Sequence, residues 1–414
     1  MTKSIQNPYN RREFLVASGI VVAGGLASCS EREPKHVVST PKNKQQPLLA
    51  TPSPTIRVRI GRVRDKSKTI FGNFSISLIG SEWKTNARNT LTSENTMHLH
   101  VSKQTQIKIH NKTKQISNDL TFVPRIDISS TAYDVVAHVP IEQYVPGVLA
   151  GELFAHWHQE TFQAQAVAAR SYATFLHLER INKSHFDLND GPSSQMYLGD
   201  VVLESANYAT KETSGMVMSW NGKIIPAYYC ACCGGIAATA TDAISTSSAH
   251  NIVPLQGRSG RDVCSKLDAR VWSATRPSRT VRRRINACAN KMNTPEFSSI
   301  RTISSIEPTE FNIHGRPTKL SIYDRNNSPT EVLAKNLFRA LNTNVLKLPI
   351  PTPTIWSSYL VATKRNSNIL FNGAGMGHGV GLCQYGAQEL AGKGESWESI
   401  LQWYYPSVQI TTLS

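Results

Sequence analysis

The chain has 414 residues and a net charge of +16 at neutral pH, with 40% hydrophobic and 18% charged residues. That length and composition exclude a wholly disordered chain and allow one large or two medium domains with a real core. The positive excess suits an anionic partner or a solvated basic face. Basic runs such as Arg282-Arg283-Arg284 are short and lack interleaved aromatics, so charge alone does not mark a nucleic-acid surface.

Residues 1–29 read as an export signal. Arg11-Arg12-Glu13-Phe14-Leu15 precedes an apolar run from Val16 to Ala27, shorter than the roughly 20 residues of a membrane span. Paired arginines followed by Phe-Leu resemble a twin-arginine signal. Leu26-Ala27-Ser28-Cys29 resembles a bacterial lipobox, in which Cys29 is acylated and becomes the mature N-terminus. An ordinary signal peptide with an incidental cysteine is the alternative. Residues 30–55, with Pro34, Pro41, Pro47, Pro52 and Pro54, lack apolar periodicity and read as an extended tether. No later segment is long and apolar enough for a bilayer, so a membrane is expected to be reached through Cys29 or not at all.

Residues 56–138 read as β-rich. Ile56-Arg57-Val58-Arg59-Ile60, Ser75-Ile76-Ser77-Leu78, His98-Leu99-His100-Val101 and Gln106-Ile107-Lys108-Ile109 alternate apolar and polar, which predicts strands with one buried face. From 139 the pattern turns helical. Pro140 opens a short helix, and Glu160 to about Arg180 has Phe162, Ala166, Ala169, Ala173 and Leu176 at helical spacing, a buried central helix. Strands are expected at Met216–Ser219 and Ile224–Tyr229. Residues 281–365 read as an inserted β-rich segment of short strands and connectors with one amphipathic helix near 331–342, and 396–405 as a final helix. The class is α+β: a β-rich N-terminal region packed with a mixed α/β domain over 139–414.

Four segments in order resemble the SpoIID family, which includes lytic transglycosylases and amidase enhancers of the LytB type. They are Pro140-Ile141-Glu142-Gln143-Tyr144-Val145 running to Gly151-Glu152; Ala164-Gln165-Ala166-Val167-Ala168-Ala169-Arg170-Ser171-Tyr172-Ala173; Ser194-Gln195-Met196-Tyr197-Leu198-Gly199; and Gly377-His378-Gly379-Val380-Gly381-Leu382-Cys383-Gln384-Tyr385, with Tyr404-Tyr405-Pro406 closing the chain as in the family. The resemblance spans roughly 56–414. It implies an exported peptidoglycan enzyme of the cell envelope acting on glycan strands freed of stem peptides, with Glu152 as the catalytic residue and no cofactor needed for the chemistry.

The residues around Glu152 suit a proton donor. Glycosidic cleavage needs a proton on the leaving oxygen, and a carboxylic acid supplies it. The sugar's own 6-hydroxyl then attacks, giving a 1,6-anhydro end, so one carboxyl serves as acid and then base. Leu153, Phe154, Ala155 and Trp157 flank Glu152 and would keep water from it. The resemblance further places Ser194, Gln195, Tyr197, His378, Gly379, Gln384 and Tyr385 at the substrate. Arg170, a charge among alanines, is expected in a structural ion pair.

Besides Cys29 the chain has Cys230, Cys232, Cys233, Cys264, Cys288 and Cys383. Cys230 and Cys233 have a zinc-knuckle spacing. Some family members bind zinc through a His and a Cys at these two places, and a later cysteine, here Cys264, is the implied third ligand of a structural zinc. The fourth is open between Cys232, His250 and water. Disulfides are the rival, since export favours them. Cys383 reads as a small buried residue. A non-catalytic wall-binding protein that assists a cell-wall amidase is the alternative function. Export argues against nucleic acid as a partner. The process served, whether sporulation, division or wall turnover, stays open.

Overall fold

The computed structural model describes residues 52–414, apart from 65–66, 81, 87–89 and 94. The export signal, Cys29 and nearly all of the tether lie outside the described residues.

The N-terminal region is two sheets. Thr55–Val63 buries alternate residues and pairs antiparallel with Tyr133–Pro140 in a six-stranded sheet. Phe74–Ile79 and Thr105–Ile109 belong to a five-stranded sheet. Their inward faces, Ile56, Val58, Ile76 and Ile107 among them, form one core with Val145 and Leu149 of the first helix. Asp134, fully buried in this sheet, accepts from Arg62 Nε at 2.5 Å, Arg125 at 2.9 Å and His185 at 2.9 Å. Burial alone would raise its pKa, but these donors outweigh burial and hold the carboxyl far below its ordinary range.

The first helix is Ile141–Glu152 and the central helix Gln159–Arg180. The central helix serves two cores. Phe162, Ala166, Ala169 and Ala173 face the N-terminal core, while Ala164, Val167 and Ala168 face a second one built with Leu255, Val380, Leu382 and Leu401. Only small side chains let both layers approach so closely. Arg170, fully buried, donates to Glu142 Oε1 from Nε at 2.8 Å and to Oε2 from a terminal nitrogen at 2.7 Å. Glu142 also accepts the Gly215 N–H at 3.0 Å, so the expected ion pair ties both helices to the strand Met216–Trp220.

Residues 271–374 carry a third core. Their antiparallel sheet runs Val271–Pro277, Asn368–Ala374, Leu360–Arg365, Ser305–Phe311, Pro317–Tyr323, Pro329–Leu333. Three expectations change here and just before. Ser278–Met292 is a helix, not strands and connectors: Val281, Ile285, Cys288 and Ala289 bury one face of a segment whose basic residues mask the pattern. The amphipathic helix near 331–342 begins later, at Ala334, because Pro329–Leu333 is the sheet's edge strand. The strand expected over Ile224–Tyr229 is two short pieces, Lys223–Ile224 and Tyr229–Cys230, separated by Pro226, which has no N–H to give a ladder.

Candidate active site

Glu152 is the last residue of the first helix, and glycines set what it meets. A Cβ on Gly147 would stand 2.5 Å from the Gly199 carbonyl oxygen, and one on Gly151 would overlap the Met196 carbonyl oxygen. The helix therefore lies directly against the 196–199 backbone. In that position Glu152 Oε1 accepts the Met196 N–H at 2.8 Å, and Oε2 accepts from Gln384 Nε2 at 3.3 Å. The residue is 9% exposed. The carboxyl is thus turned away from bulk water and oriented by two amide donors, one from each of two distant motifs. The apolar flank predicted from the sequence is present, with Leu153 buried and Phe154 and Trp157 half-buried, but the nearest groups are polar.

The other predicted residues divide. Gln384, buried at the first turn of the helix Gln384–Gly392, reaches Glu152. Tyr385 packs edge-on against Trp157 with centroids 5.3 Å apart. Ser194 is a turn residue whose hydroxyl accepts the Asn189 N–H at 3.2 Å. Gln195 and Tyr197 do not present their side chains to a substrate: both are 0% exposed. Gln195 accepts from the Tyr144 hydroxyl at 2.9 Å and donates to the Ala169 carbonyl at 3.2 Å, while the Tyr197 ring lies 5.0 Å from that of Tyr144. Their signature serves the core, since a buried amide must satisfy both its ends. Gly379 has a left-handed φ of +81° and is buried; a Cβ there would stand 2.7 Å from the Arg316 guanidinium carbon, so it makes room for protein, not sugar. His378 is half-buried, its Nδ1 accepting the Val380 N–H at 3.0 Å and its ring edge-on to Tyr228 at 5.8 Å.

The cysteines also regroup. Cys233 and Cys264 come together, with sulfurs 3.4 Å apart, and the cluster is completed by Cys383 and Asp262, all ligand atoms lying within 4.8 Å of one another. Cys230, expected as a ligand, is not in this group; its buried thiol is pushed up to about 12 by desolvation. Cys230 sits on the two-residue strand that pairs with Leu382–Cys383, and the chain runs on three residues before Cys233 reaches the cluster. Cys232 hydrogen-bonds Cys264 at its margin. Neighbouring thiols pull Cys264 far below its usual range, and burial lifts Asp262 to about 6. The Cys383 sulfur accepts the N–H groups of Cys233 at 3.3 Å and Gly386 at 3.4 Å. The six cysteines among the described residues are buried and unpaired.

The SpoIID family profile, described as Stage II sporulation protein, matches residues 129–220, the stretch holding both helices and the Ser194–Gly199 strip. An uncharacterized protein of Brachyspira hyodysenteriae is 30% identical over 301 residues, 70% of this chain and 71% of that protein. The chain belongs to the SpoIID family. Within that family, the amidase enhancer of Bacillus subtilis is 28% identical over 289 residues, 64% of this chain but only 40% of that protein. The stage II sporulation protein D of Bacillus subtilis is 24% identical over 312 residues, 69% of this chain and 78% of that protein.

Three residues at this SpoIID site escaped the sequence reading. Asp262 carried no motif, and its adjacency to Cys264 in the chain was the available signal. Cys383 was legible as buried but not as part of a cluster. Tyr229 pairs with Leu382, two residues before Gln384, and its hydroxyl is buried beside the Gln195 side chain. Burial, then the Glu152 charge, raise its pKa well above that of an ordinary phenol.

Proposed function

We propose that this SpoIID protein is a lytic transglycosylase that cuts peptidoglycan glycan strands, with Glu152 as acid and then base. The carrying observation is the carboxyl itself, buried and gripped by the Met196 N–H and Gln384. Glu152 gives its proton to the glycosidic oxygen as the C1–O bond breaks. The muramyl 6-hydroxyl then bonds to C1 and returns its proton to Glu152, leaving a 1,6-anhydro end. Attack by the sugar's own hydroxyl needs no second carboxylate. The test is incubation with peptide-free glycan strands and mass analysis of the ends. Wild type is expected to release 1,6-anhydromuramyl products, and Glu152→Gln to release none while still binding glycan.

The amidase enhancer among the relatives favours a second reading, in which the chain binds wall glycan and assists an amidase without cleaving. Binding without anhydro products, together with faster turnover by an added amidase, would decide for it. Both readings suit an exported chain, and the Leu26-Ala27-Ser28-Cys29 segment supports an anchor by lipid on Cys29. None of the helices among the described residues is long and apolar enough to cross a bilayer. Labelling with a radioactive fatty acid, lost in Cys29→Ala, tests the anchor.

Cys233, Cys264, Cys383 and Asp262 fit a structural zinc. Three sulfurs and an oxygen are a zinc donor set, and tetrahedral Zn–S bonds put sulfurs about 3.8 Å apart, close to the spacing here. Such an ion would supply cross-linking, not catalysis. Metal analysis and a thiol count before and after chelation test this; absence of zinc with no free thiols would favour disulfides.

A further inference from the structure

Glu152 is followed by a loop that carries two half-buried aromatic rings, Phe154 and Trp157. Phe154 and Trp157 have centroids 5.3 Å apart at 55°, and Trp157 meets Tyr385 at 5.3 Å and 70°. All three rings are half-buried, neither sealed in the core nor free in solvent. They come from two places in the chain, each adjoining the acid. Phe154 is two residues beyond Glu152, and Tyr385 directly follows Gln384, which holds the carboxyl. Two residues of extended chain span only about 7 Å. The backbone that carries the rings is held by hydrogen bonds. The Trp157 N–H donates to the Phe154 carbonyl at 3.0 Å, the Tyr385 N–H to the Ala231 carbonyl at 3.1 Å, and Gln388 Oε1 accepts from the His158 N–H and the Thr161 hydroxyl, both at 3.0 Å.

We propose that Phe154, Trp157 and Tyr385 form a stacking shelf for one N-acetylated hexosamine ring of the glycan strand, next to the bond that Glu152 protonates. This rests on the glycan-cleaving reading above and gives it a subsite. A β-1,4-linked hexosamine carries its substituents around its equator and presents C–H groups on its faces. Such a face lies flat on an aromatic ring and buries apolar area there, while amide and carboxyl groups nearby take the polar rim. A rigid ring spends little conformational entropy on binding, which is why a shelf made of aromatics outperforms one made of long aliphatic chains.

The test is calorimetry on the full chain carrying Glu152→Gln, with tetra-N-acetylchitotetraose as the probe. That parent is expected to bind. Adding Trp157→Leu, which keeps an apolar side chain but removes the ring, is expected to weaken binding at least tenfold. Trp157→Phe is expected to restore most of it. Tyr385→Leu provides an independent arm on a different element should the Trp157 variants lose their thermal transition, and it is expected to weaken binding severalfold. Equal affinity in folded Leu variants would overturn the shelf and leave the Glu152 reading intact. A parent that binds no tetrasaccharide would overturn the glycan reading itself, and the shelf with it.

Discussion

Two motif segments converge on Glu152, and they contribute in opposite ways. The Ser194–Gly199 strip offers its backbone: the Met196 N–H reaches the carboxyl, while the side chains of Gln195 and Tyr197 turn into the core. The Gly377–Tyr385 segment offers side chains: Gln384 grips the carboxyl and Tyr385 meets Trp157. A sequence signature therefore records two kinds of demand. One is on residues that touch the chemistry, the other on residues that shape a peptide so its amide can.

Substitutions separate the two contributions. The largest effect is expected at the carboxyl they share: Glu152→Gln should lower turnover by about 10²–10⁴-fold, read as release of anhydro ends. In the N-terminal sheet, Asp134→Asn should cost about 3 kcal/mol in urea melts, since it removes the buried carboxylate that several half-buried cations share. The folded-state pKa of Asp134 is depressed, so its contribution is complete above the ordinary value near 4 and drains away as pH falls below it; melts from pH 7 to pH 3 should show this, with Asp134→Asn flatter.

Gly151→Ala tests the backbone strip. The added methyl meets the Met196 carbonyl and should destabilise by about 1–3 kcal/mol in denaturant melts, with turnover falling as the Met196 N–H moves away. Met196→Ala, which keeps that N–H, should cost less than half as much. Gln384→Leu tests the side-chain segment: loss of the hydrogen bond that orients the Glu152 carboxyl should lower turnover by about tenfold to a hundredfold, with glycan affinity nearly unchanged. The smallest effect is expected at Ser194→Ala, within about 0.5 kcal/mol and without change in turnover, because its hydroxyl serves one turn. If Ser194→Ala proved as harmful as Gln384→Leu, the division of labour would be wrong.

Much of this was legible in advance. Period-two runs at 56–60 and 106–109 and the alanine-rich stretch from 164 to 173 gave strands and a helix, because one buried face writes itself into local spacing. Glu152 was legible through the motif around it. What local spacing does not carry is which side of a turn a side chain takes. Cys230 and Cys233 look like partners in sequence, yet only Cys233 reaches Cys264, and Asp262 joins them with no motif at all. The resemblance placed Gln195 at the substrate; its partners, Tyr144 and the Ala169 carbonyl, are 51 and 26 residues away. The helix Ser278–Met292 was hidden because basic residues, Arg282-Arg283-Arg284 above all, interrupt its four-residue apolar stripe.

The lobe from 271 to 374 starts and stops side by side, since Val271 and Ala374 face each other across an antiparallel pair. To the rest of the chain that whole lobe is topologically a hairpin, and its length is invisible at the seam. Descendants of this gene can enlarge, trim or exchange it without re-threading the parts around Glu152. Tethers limit that freedom: inside the lobe, Asn312 donates to the Ala237 carbonyl and Arg316 to the Cys233 and Ile236 carbonyls, so any replacement must supply donors at the same spots or leave acceptors stranded.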